Sequence, residues 1–101
     1  MDDALKGIKA LADKNRLKIL KLLLTKKLCV SALAKKLDIS ESAVSQQLKI
    51  LREADLVMGV KEGYYVHYTI KKEKLQQIGD YIFELGEINR ANNSCCHENE
   101  D

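Results

Sequence analysis

Two helical segments separated by a three-residue turn are the feature that most restricts how this chain can fold. The first segment runs from about Ser31 to Leu37, and the second follows Ser40 and runs to about Ala54. Between them, Asp38-Ile39-Ser40 reads as a tight turn. Ser40 is a good N-cap, because its hydroxyl can accept a hydrogen bond from a free backbone N–H of the following helix. Two helices joined by a turn of this length predict a helix-turn-helix.

The second of these segments has two contrasting faces. Val44, Leu48 and Leu51 recur at helical spacing and predict a buried stripe. The opposite stripe is short and polar and carries one charge; it consists of Ser42, Ser45, Gln46 and Lys49. An ordinary solvated face would carry more Glu and Lys. Serine hydroxyls and a glutamine amide suit base edges in the major groove, so this helix is predicted to read DNA. A polar face with no such role is the alternative.

The residues before this pair are also helical. Apolar residues in the segment 5–12 recur at helical spacing and predict a first helix. Asp13 or Asn15 then opens a second helix. Its leucine-rich stretch 17–24 is too apolar for a surface position. We therefore expect two helices ahead of the helix-turn-helix, with the second one buried.

The period of the sequence changes after residue 56. Val57–Lys61 and Tyr64–Ile70 are rich in β-branched and aromatic residues and flank Glu62-Gly63, which predicts a two-stranded hairpin. Lys72 to about Asn89 returns to helical spacing. The expected fold is mainly α with a small β-hairpin, a winged helix-turn-helix in residues 1–90, followed by a flexible acidic tail with Cys and His in residues 91–101. The predicted contacts to double-stranded DNA are Ser40, Ser42, Ser45, Gln46 and Lys49 from the second helix of the pair and Lys61 from the hairpin.

The composition favours a small intracellular protein. The 101 residues are 46% hydrophobic and 32% charged without any proline, which is typical of one helix-rich globular domain. Residues 1–90 hold 17 basic and 12 acidic side chains, a net charge of +5 that suits nucleic acid. No apolar run approaches the roughly 18 residues of a membrane span, and Met1-Asp2-Asp3 is not a secretory leader. We therefore expect a cytoplasmic protein without membrane contact, whose cysteines are free thiols or metal ligands.

Three segments follow one another in a recognisable order: LADKNRLKIL at 11–20, LCVSALA at 28–34 and, most specifically, SAVSQQLKILREADLV at 42–57. Together they resemble the ArsR/SmtB family of bacterial and archaeal metal-responsive repressors. The resemblance implies a homodimer that binds an inverted-repeat operator and dissociates when a metal ion binds. It also implies a dimer interface on the first and last helices, and the a/d-like stripe of the last helix supports this. The interface residues expected are Leu5, Ile8, Leu75, Ile78, Ile82 and Leu85.

Some positions depart from the family's pattern. Asp55 stands where members usually have glycine, and aspartate tolerates the left-handed conformation better than most residues. Tyr64 stands where the wing often carries arginine, so the DNA contacts of the wing are left open. A zinc or cobalt site common on the last helix aligns with Lys72 and Lys74. Charged lysines donate no lone pair, so we expect that site to be absent.

The cysteines indicate a softer ion. Arsenic and cadmium sensors of the family often carry Cys-Val-Cys at the start of the third helix, where this chain has Cys29-Val30-Ser31. The tail adds Cys95 and Cys96, followed by His97. Thiolates from Cys29, Cys95 and Cys96 could form a trigonal site for As(III) or Sb(III), with Cd(II) or Pb(II) also possible. The sequence therefore predicts a repressor released by a thiophilic ion, most of all As(III) or Sb(III), without an organic cofactor.

Other interpretations of the same residues stay open. Cys29 could be a small buried core residue, and Cys95 and Cys96 could be an idle tail. A disulfide between the tail and Cys29 would instead make a redox-responsive repressor. His67 is expected to be a surface residue rather than a ligand. An enzyme is not expected, because there is no Cys-x-x-Cys and no glycine-rich phosphate loop. A winged helix that binds protein would carry apolar anchors instead of the polar reading stripe.

Overall fold

Five helices and three strands make up residues 2–87, the part of the chain that the computed structural model describes. In chain order they are α1 (Asp2–Leu11), α2 (Lys14–Leu23), β1 (Leu28–Cys29), α3 (Val30–Leu37), α4 (Glu41–Glu53), β2 (Val57–Glu62), β3 (Tyr65–Ile70) and α5 (Lys72–Gly86). Helices α3 and α4 form the helix-turn-helix, and β2 and β3 form the wing, so the predicted fold class is confirmed. Within residues 2–87 no helix is both long and apolar enough to cross a membrane.

Two of the helix starts that the sequence predicted, those of α2 and α4, are made by side-chain caps. Asp13 caps α2, where its Oδ2 accepts from the backbone N–H groups of Asn15 at 3.0 Å and Arg16 at 3.1 Å. Ser40 caps α4, where its Oγ accepts from the Ala43 N–H at 3.0 Å. In the turn before it, Asp38 ends α3 in the left-handed conformation with φ 57°. The left-handed Asp38 and the Ser40 cap together make the short turn between α3 and α4.

Asp55 does adopt the left-handed conformation expected of it, with φ 64°. Its carboxylate accepts from the ammonium of Lys71 at 2.5 Å, just before α5. This charged hydrogen bond lowers the pKa of Asp55 below its ordinary value. This bond joins Asp55, just after α4, to Lys71, the N-cap residue of α5. The two ends of the wing are therefore held next to each other.

The sheet has one strand more than the sequence predicted. β2 and β3 pair antiparallel around Gly63, whose φ of +66° the tight turn requires, and β1 adds to the free edge of β3. Leu28 of β1 lies opposite Tyr68. A strand of two residues is too short to produce an alternating pattern, so the prediction of a two-stranded hairpin alone was incomplete.

The core lies where the helices meet the inner face of the sheet. Its buried members are Ala10, Ile19, Leu20, Leu23, Leu28, Leu33, Ala34, Val44, Leu48, Leu51, Ala54, Leu56, Val57, Ile70 and Ile78. The prediction that the leucine-rich stretch 17–24 is buried was wrong at two positions, because Leu17 of α2 and its C-cap residue Leu24 are 44% and 55% exposed. Only one stripe of a helix can face the core, even when leucines also lie on its other faces.

Helix α1 packs against α5 at a close approach of Gly7 to Ile78. A Cβ on Gly7 would lie 2.2 Å from Ile78 Cδ1, so glycine allows the two helices to meet there. Ile78 is 2% exposed and belongs to the core of a single chain, which leaves it little surface for the dimer contact predicted of it. Ile8 and Leu75 pack partly against the same core. The predicted end of the last helix at Asn89, and the tail, lie outside the described residues.

Candidate nucleic-acid interface and cysteine site

Helix α4 presents a polar face to solvent because its opposite face is held in the core. Val44, Leu48 and Leu51 are fully buried, as the spacing predicted. The predicted reading residues are exposed on the other side; they are Ser42, Ser45, Gln46 and Lys49. A helix of this kind can enter the major groove, which is about 12 Å wide. The side chains that would then meet base edges remain a prediction.

Ser40 is both the N-cap of α4 and a predicted DNA contact. Its hydroxyl oxygen accepts the capping hydrogen bond from Ala43, so this oxygen is already engaged at the start of α4. The hydroxyl is exposed and can still donate its proton to an acceptor such as a phosphate oxygen. The positive end of the helix dipole lies at the same place and favours an anion.

Arg16 makes a contact to α4 that the sequence did not indicate. Its Nη1 donates to Gln47 Oε1 at 2.9 Å, and its Nε donates to the Ala10 carbonyl at 2.6 Å. Gln47 is half-buried beside the exposed Gln46. Arg16 and Gln47 are separated by 31 positions in the chain, so no periodic pattern could have revealed the pair.

The wing carries its predicted lysine on the surface. Lys61 is exposed on β2, opposite Val66 of β3. The next residue, Glu62, is engaged with Lys27, whose Nζ lies 2.5 Å from Glu62 Oε2. This pair connects the end of β2 to the residue before β1, and it is a second contact absent from the sequence-based prediction.

Cys29 lies at the junction of β1 and α3, on the outer face of the sheet. It is the N-cap residue of α3 and makes no side-chain capping bond. Cys29 is paired with His67 in the β1–β3 register, and opposed residues of an antiparallel pair share a face. The neighbouring Leu28 faces the core, so Cys29 points away from it and is half-buried. Within residues 2–87 no three His, Cys, Asp or Glu side chains are placed to hold a metal ion together. Cys95, Cys96 and His97 lie outside that range.

His67 is less exposed than the sequence predicted for a surface residue. Its side chain is 28% exposed, and its Nδ1 lies 3.1 Å from Glu62 Oε1. That distance suits an ion pair when the imidazole is protonated, although among the described residues this buried nitrogen has no partner of good hydrogen-bond geometry. Glu62 thus lies between Lys27 and His67, which surround it with potential positive charge.

The Lys27–Glu62 contact predicts a pH effect at the wing. The hydrogen bond from Lys27 lowers the pKa of Glu62, and the charges of Lys27 and His67 act in the same direction. A carboxylate with a lowered folded-state pKa stabilises the fold above its unfolded-state pKa, and this contribution is lost as the pH falls through the folded-state value. A carbon-detected NMR titration of Glu62 should show Lys27→Met raising its pKa toward the ordinary value. Lys26→Met, at the adjacent exposed lysine, is the control and should leave it unchanged; equal shifts would contradict the pairing.

Sequence comparisons identify the family of this protein. A family profile described as "Bacterial regulatory protein, arsR family" matches residues 13–58, from the α2 cap to the start of β2. The transcriptional activator HlyU of Vibrio cholerae is 37% identical over 78 residues, which cover 77% of this chain and 72% of HlyU. The chain belongs to the arsR family. The predicted resemblance is confirmed, and members of this family are transcriptional regulators that bind DNA, not enzymes.

Further relatives in the arsR family include repressors. A transcriptional repressor SmtB homolog of Synechocystis is 38% identical over 79 residues, covering 74% of this chain and 60% of that protein. The arsenical resistance operon repressor of Escherichia coli is 44% identical over 64 residues, covering 61% of this chain and 54% of the repressor. The chain therefore spans little more than half the length of these two relatives.

Solved structures of arsR-family proteins have the same fold. Reduced HlyU from Vibrio cholerae aligns with a TM-score of 0.68 at 38% identity, covering 83% of this chain and 88% of HlyU. A homodimeric winged helix-turn-helix DNA-binding domain from Mycobacterium bovis aligns with a TM-score of 0.71 at 26% identity, covering 95% of this chain and 89% of that one. The winged fold and the place of α4 within it are therefore shared with proteins of this family.

Proposed function

We propose that this chain is a homodimeric cytoplasmic repressor that reads an inverted-repeat operator through α4 and leaves it when a thiophilic ion binds its cysteines. The observation that carries the proposal is the division of α4 into a buried apolar stripe and an exposed polar stripe. The stripe is rigidly seated, and its groups match base edges: glutamine pairs with adenine through two hydrogen bonds, and serine serves either role. Ser40, Lys49 and Lys61 supply contacts to phosphate.

The dimer forms through the exposed apolar residues of α1 and α5. Leu5 on α1 and Ile82 and Leu85 on α5 are about half exposed in the single chain. Phe83, which the sequence-based prediction omitted, is also exposed on α5. A small domain gains stability by burying such surface in a dimer. The similar winged helix-turn-helix domain from Mycobacterium bovis is a homodimer, which supports a dimer here as well.

The ion is held by Cys29 together with Cys95 and Cys96. Cys29 supports this role because it lies half-buried on the outer face of the sheet, where a second segment of chain can approach it. Three thiolates suit As(III) or Sb(III), and Cd(II) or Pb(II) after them. The relative from Escherichia coli is named for arsenical resistance. Because Cys29 is the N-cap residue of α3, an ion there would act directly on the helix-turn-helix.

A redox switch that uses the same cysteines is the second candidate. The same accessible position of Cys29 favours it, since a tail thiol that reaches the residue could form a disulfide. One of the aligned structures, HlyU, is described as reduced. The two candidates differ in the agent: an oxidant acts without any ion, whereas a thiophilic ion acts on fully reduced protein.

The experiment is a fluorescence-anisotropy titration with duplex DNA from the region upstream of the protein's own gene. Reduced protein is titrated alone, with As(III), Sb(III), Cd(II), Pb(II) or Zn(II), and separately after treatment with peroxide. Tight binding that only thiophilic ions abolish is the expected result. If DNA binding were lost after peroxide and not with any ion, the protein would be a redox-responsive repressor instead of an ion sensor. Binding that no agent changes would remove both candidates and leave a DNA-binding regulator.

Replacement of Gln46 by alanine should relax the choice of base. A side chain that pairs with one base contributes about 1–3 kcal/mol of discrimination, so Gln46→Ala should lose that much against the best duplex and little against mismatched ones. Lys49→Ala is the contrasting variant: it should weaken binding to all duplexes and reduce the salt dependence. Unchanged base preference in Gln46→Ala would remove Gln46 from the reading site.

Removal of Cys29, or of Cys95 and Cys96 together, should make the protein insensitive to the ion. In Cys29→Ser and in the double variant Cys95→Ser/Cys96→Ser, DNA binding without ion should match the wild type, because none of these residues is predicted to touch DNA. As(III) should then fail to release the duplex from either variant in the same anisotropy titration. Release of Cys29→Ser at the wild-type ion concentration would exclude Cys29 as a ligand.

A further inference from the structure

Arg16 connects the end of α1 to the middle of the reading helix. Its Nε donates to the Ala10 carbonyl at 2.6 Å, and its Nη2 lies 3.5 Å from the Lys9 carbonyl. These carbonyls belong to the last turn of α1, and the Lys9 carbonyl also accepts from the backbone N–H of Ala12 at 3.2 Å. The third nitrogen, Nη1, donates to Gln47 Oε1 at 2.9 Å. One planar guanidinium therefore fixes two helices at once, and this requires the rigid fork that arginine has and lysine lacks.

The two helices joined by Arg16 belong to different parts of the proposed function. Helix α1 packs on α5 at Gly7 and Ile78, and these two helices carry the surface proposed for the dimer. Helix α4 carries the reading stripe, and Gln47 directly follows Gln46 in it. Residues that follow one another are about 100° apart around a helix, so Gln47 can face Arg16 while Gln46 faces DNA.

We propose that Arg16 is a positioning residue that fixes the angle of α4 relative to α1 and so sets the distance between the two reading helices of the dimer. This inference rests on the proposed function. A dimer of helix-turn-helix domains matches half-sites about 34–36 Å apart, so a change in the angle of α4 alters which spacing fits. The Arg16–Gln47 bond sets that angle because a hydrogen bond to a charged donor is short and strong.

The test compares Arg16→Lys, Gln47→Ala and the double variant with the wild type. Arg16→Lys keeps the charge and removes the fork, whereas Gln47→Ala keeps the bonds between Arg16 and α1 and therefore preserves the fold if Arg16→Lys does not. Gln76→Ala, at an exposed glutamine of α5, is the matched control. The probes are a duplex that the wild type selects from a random pool, the same duplex with one half-site scrambled, and versions with one or two base pairs added or removed between half-sites.

Each single variant should bind the selected duplex about tenfold more weakly, because a charge-assisted bond is lost. Binding to the duplex with one intact half-site should not change, and the preference for one spacing should flatten. The double variant should be no weaker than Arg16→Lys alone, since Arg16→Lys already lacks the Arg16–Gln47 bond that Gln47→Ala removes. The salt dependence should stay constant.

Three outcomes would overturn the inference. Wild-type affinity and spacing preference in Arg16→Lys and Gln47→Ala would show that the bond does not set the spacing. Losses that add in the double variant would show two independent roles. A weaker salt dependence in Gln47→Ala or Arg16→Lys would assign Arg16 to a phosphate contact instead. Failure of the wild type to select any duplex would overturn the proposed function as well, which distinguishes that result from the other three.

Discussion

Replacement of Leu48 by alanine is expected to lower the free energy of unfolding by about 2–5 kcal/mol. Leu48 is 1% exposed, and its helix packs against α1, α2, α3 and β2, so the lost methyl groups leave a cavity at the centre of the core. A domain of this kind has a total stability of about 5–15 kcal/mol. Urea denaturation followed by circular dichroism, at one fixed protein concentration, measures the loss. DNA binding should weaken with it, because Leu48 helps hold the reading helix in place.

Ile50 on the same helix offers a matched control for Leu48. Its side chain is 39% exposed, so Ile50→Ala removes apolar atoms that are already partly in water and leaves no enclosed cavity. We expect a loss of about 1 kcal/mol or less. Equal losses for Leu48→Ala and Ile50→Ala would contradict the division of α4 into a buried and an exposed face, and with it the orientation of the reading stripe.

Ile78 and Ile82, one helical turn apart on α5, should respond to alanine in opposite ways. Ile78 is 2% exposed, so Ile78→Ala should cost about 2–5 kcal/mol in folding free energy. Ile82 is 49% exposed, so Ile82→Ala should leave the single chain almost as stable and weaken the dimer instead. Urea denaturation measures the first effect, and sedimentation equilibrium measures the second. If Ile78→Ala weakened the dimer without changing the free energy of unfolding, Ile78 would belong to the dimer interface, as the sequence predicted.

A pair of compensating substitutions at Gly7 and Ile78 tests the contact between α1 and α5. Gly7→Ala places a methyl group against Ile78 Cδ1, and overpacking of a core costs about 1–3 kcal/mol. Ile78→Val removes that Cδ1 atom, so Gly7→Ala/Ile78→Val should be more stable than Gly7→Ala alone. Stability in the double variant below that of Gly7→Ala would show that α1 and α5 do not meet at these residues.

Local signals in the sequence were sufficient for the helix-turn-helix. Ser40 caps the helix that it was predicted to cap, and Asp13 is the one of the two candidates, Asp13 and Asn15, that caps α2. The buried stripe at Val44 and Leu48 follows from helical spacing. Each of these features depends on residues within about four positions of one another, so the reading stripe opposite them could also be predicted as exposed.

The tertiary structure decided the features that join distant parts of the chain. The pairing of Leu28 with Tyr68, the Arg16–Gln47 bond and the burial of Ile78 against Gly7 each bring together residues far apart in sequence.

The sequence by itself therefore determined where the helices begin, which face of α4 is buried and which family the chain resembles. Only the tertiary structure decided which of the leucines in α2 reach the core, which residue of α5 is used within one chain and what connects α1 to α4. The physical reason is that capping and periodicity act over a single turn of helix, whereas packing selects among apolar faces that look alike in sequence.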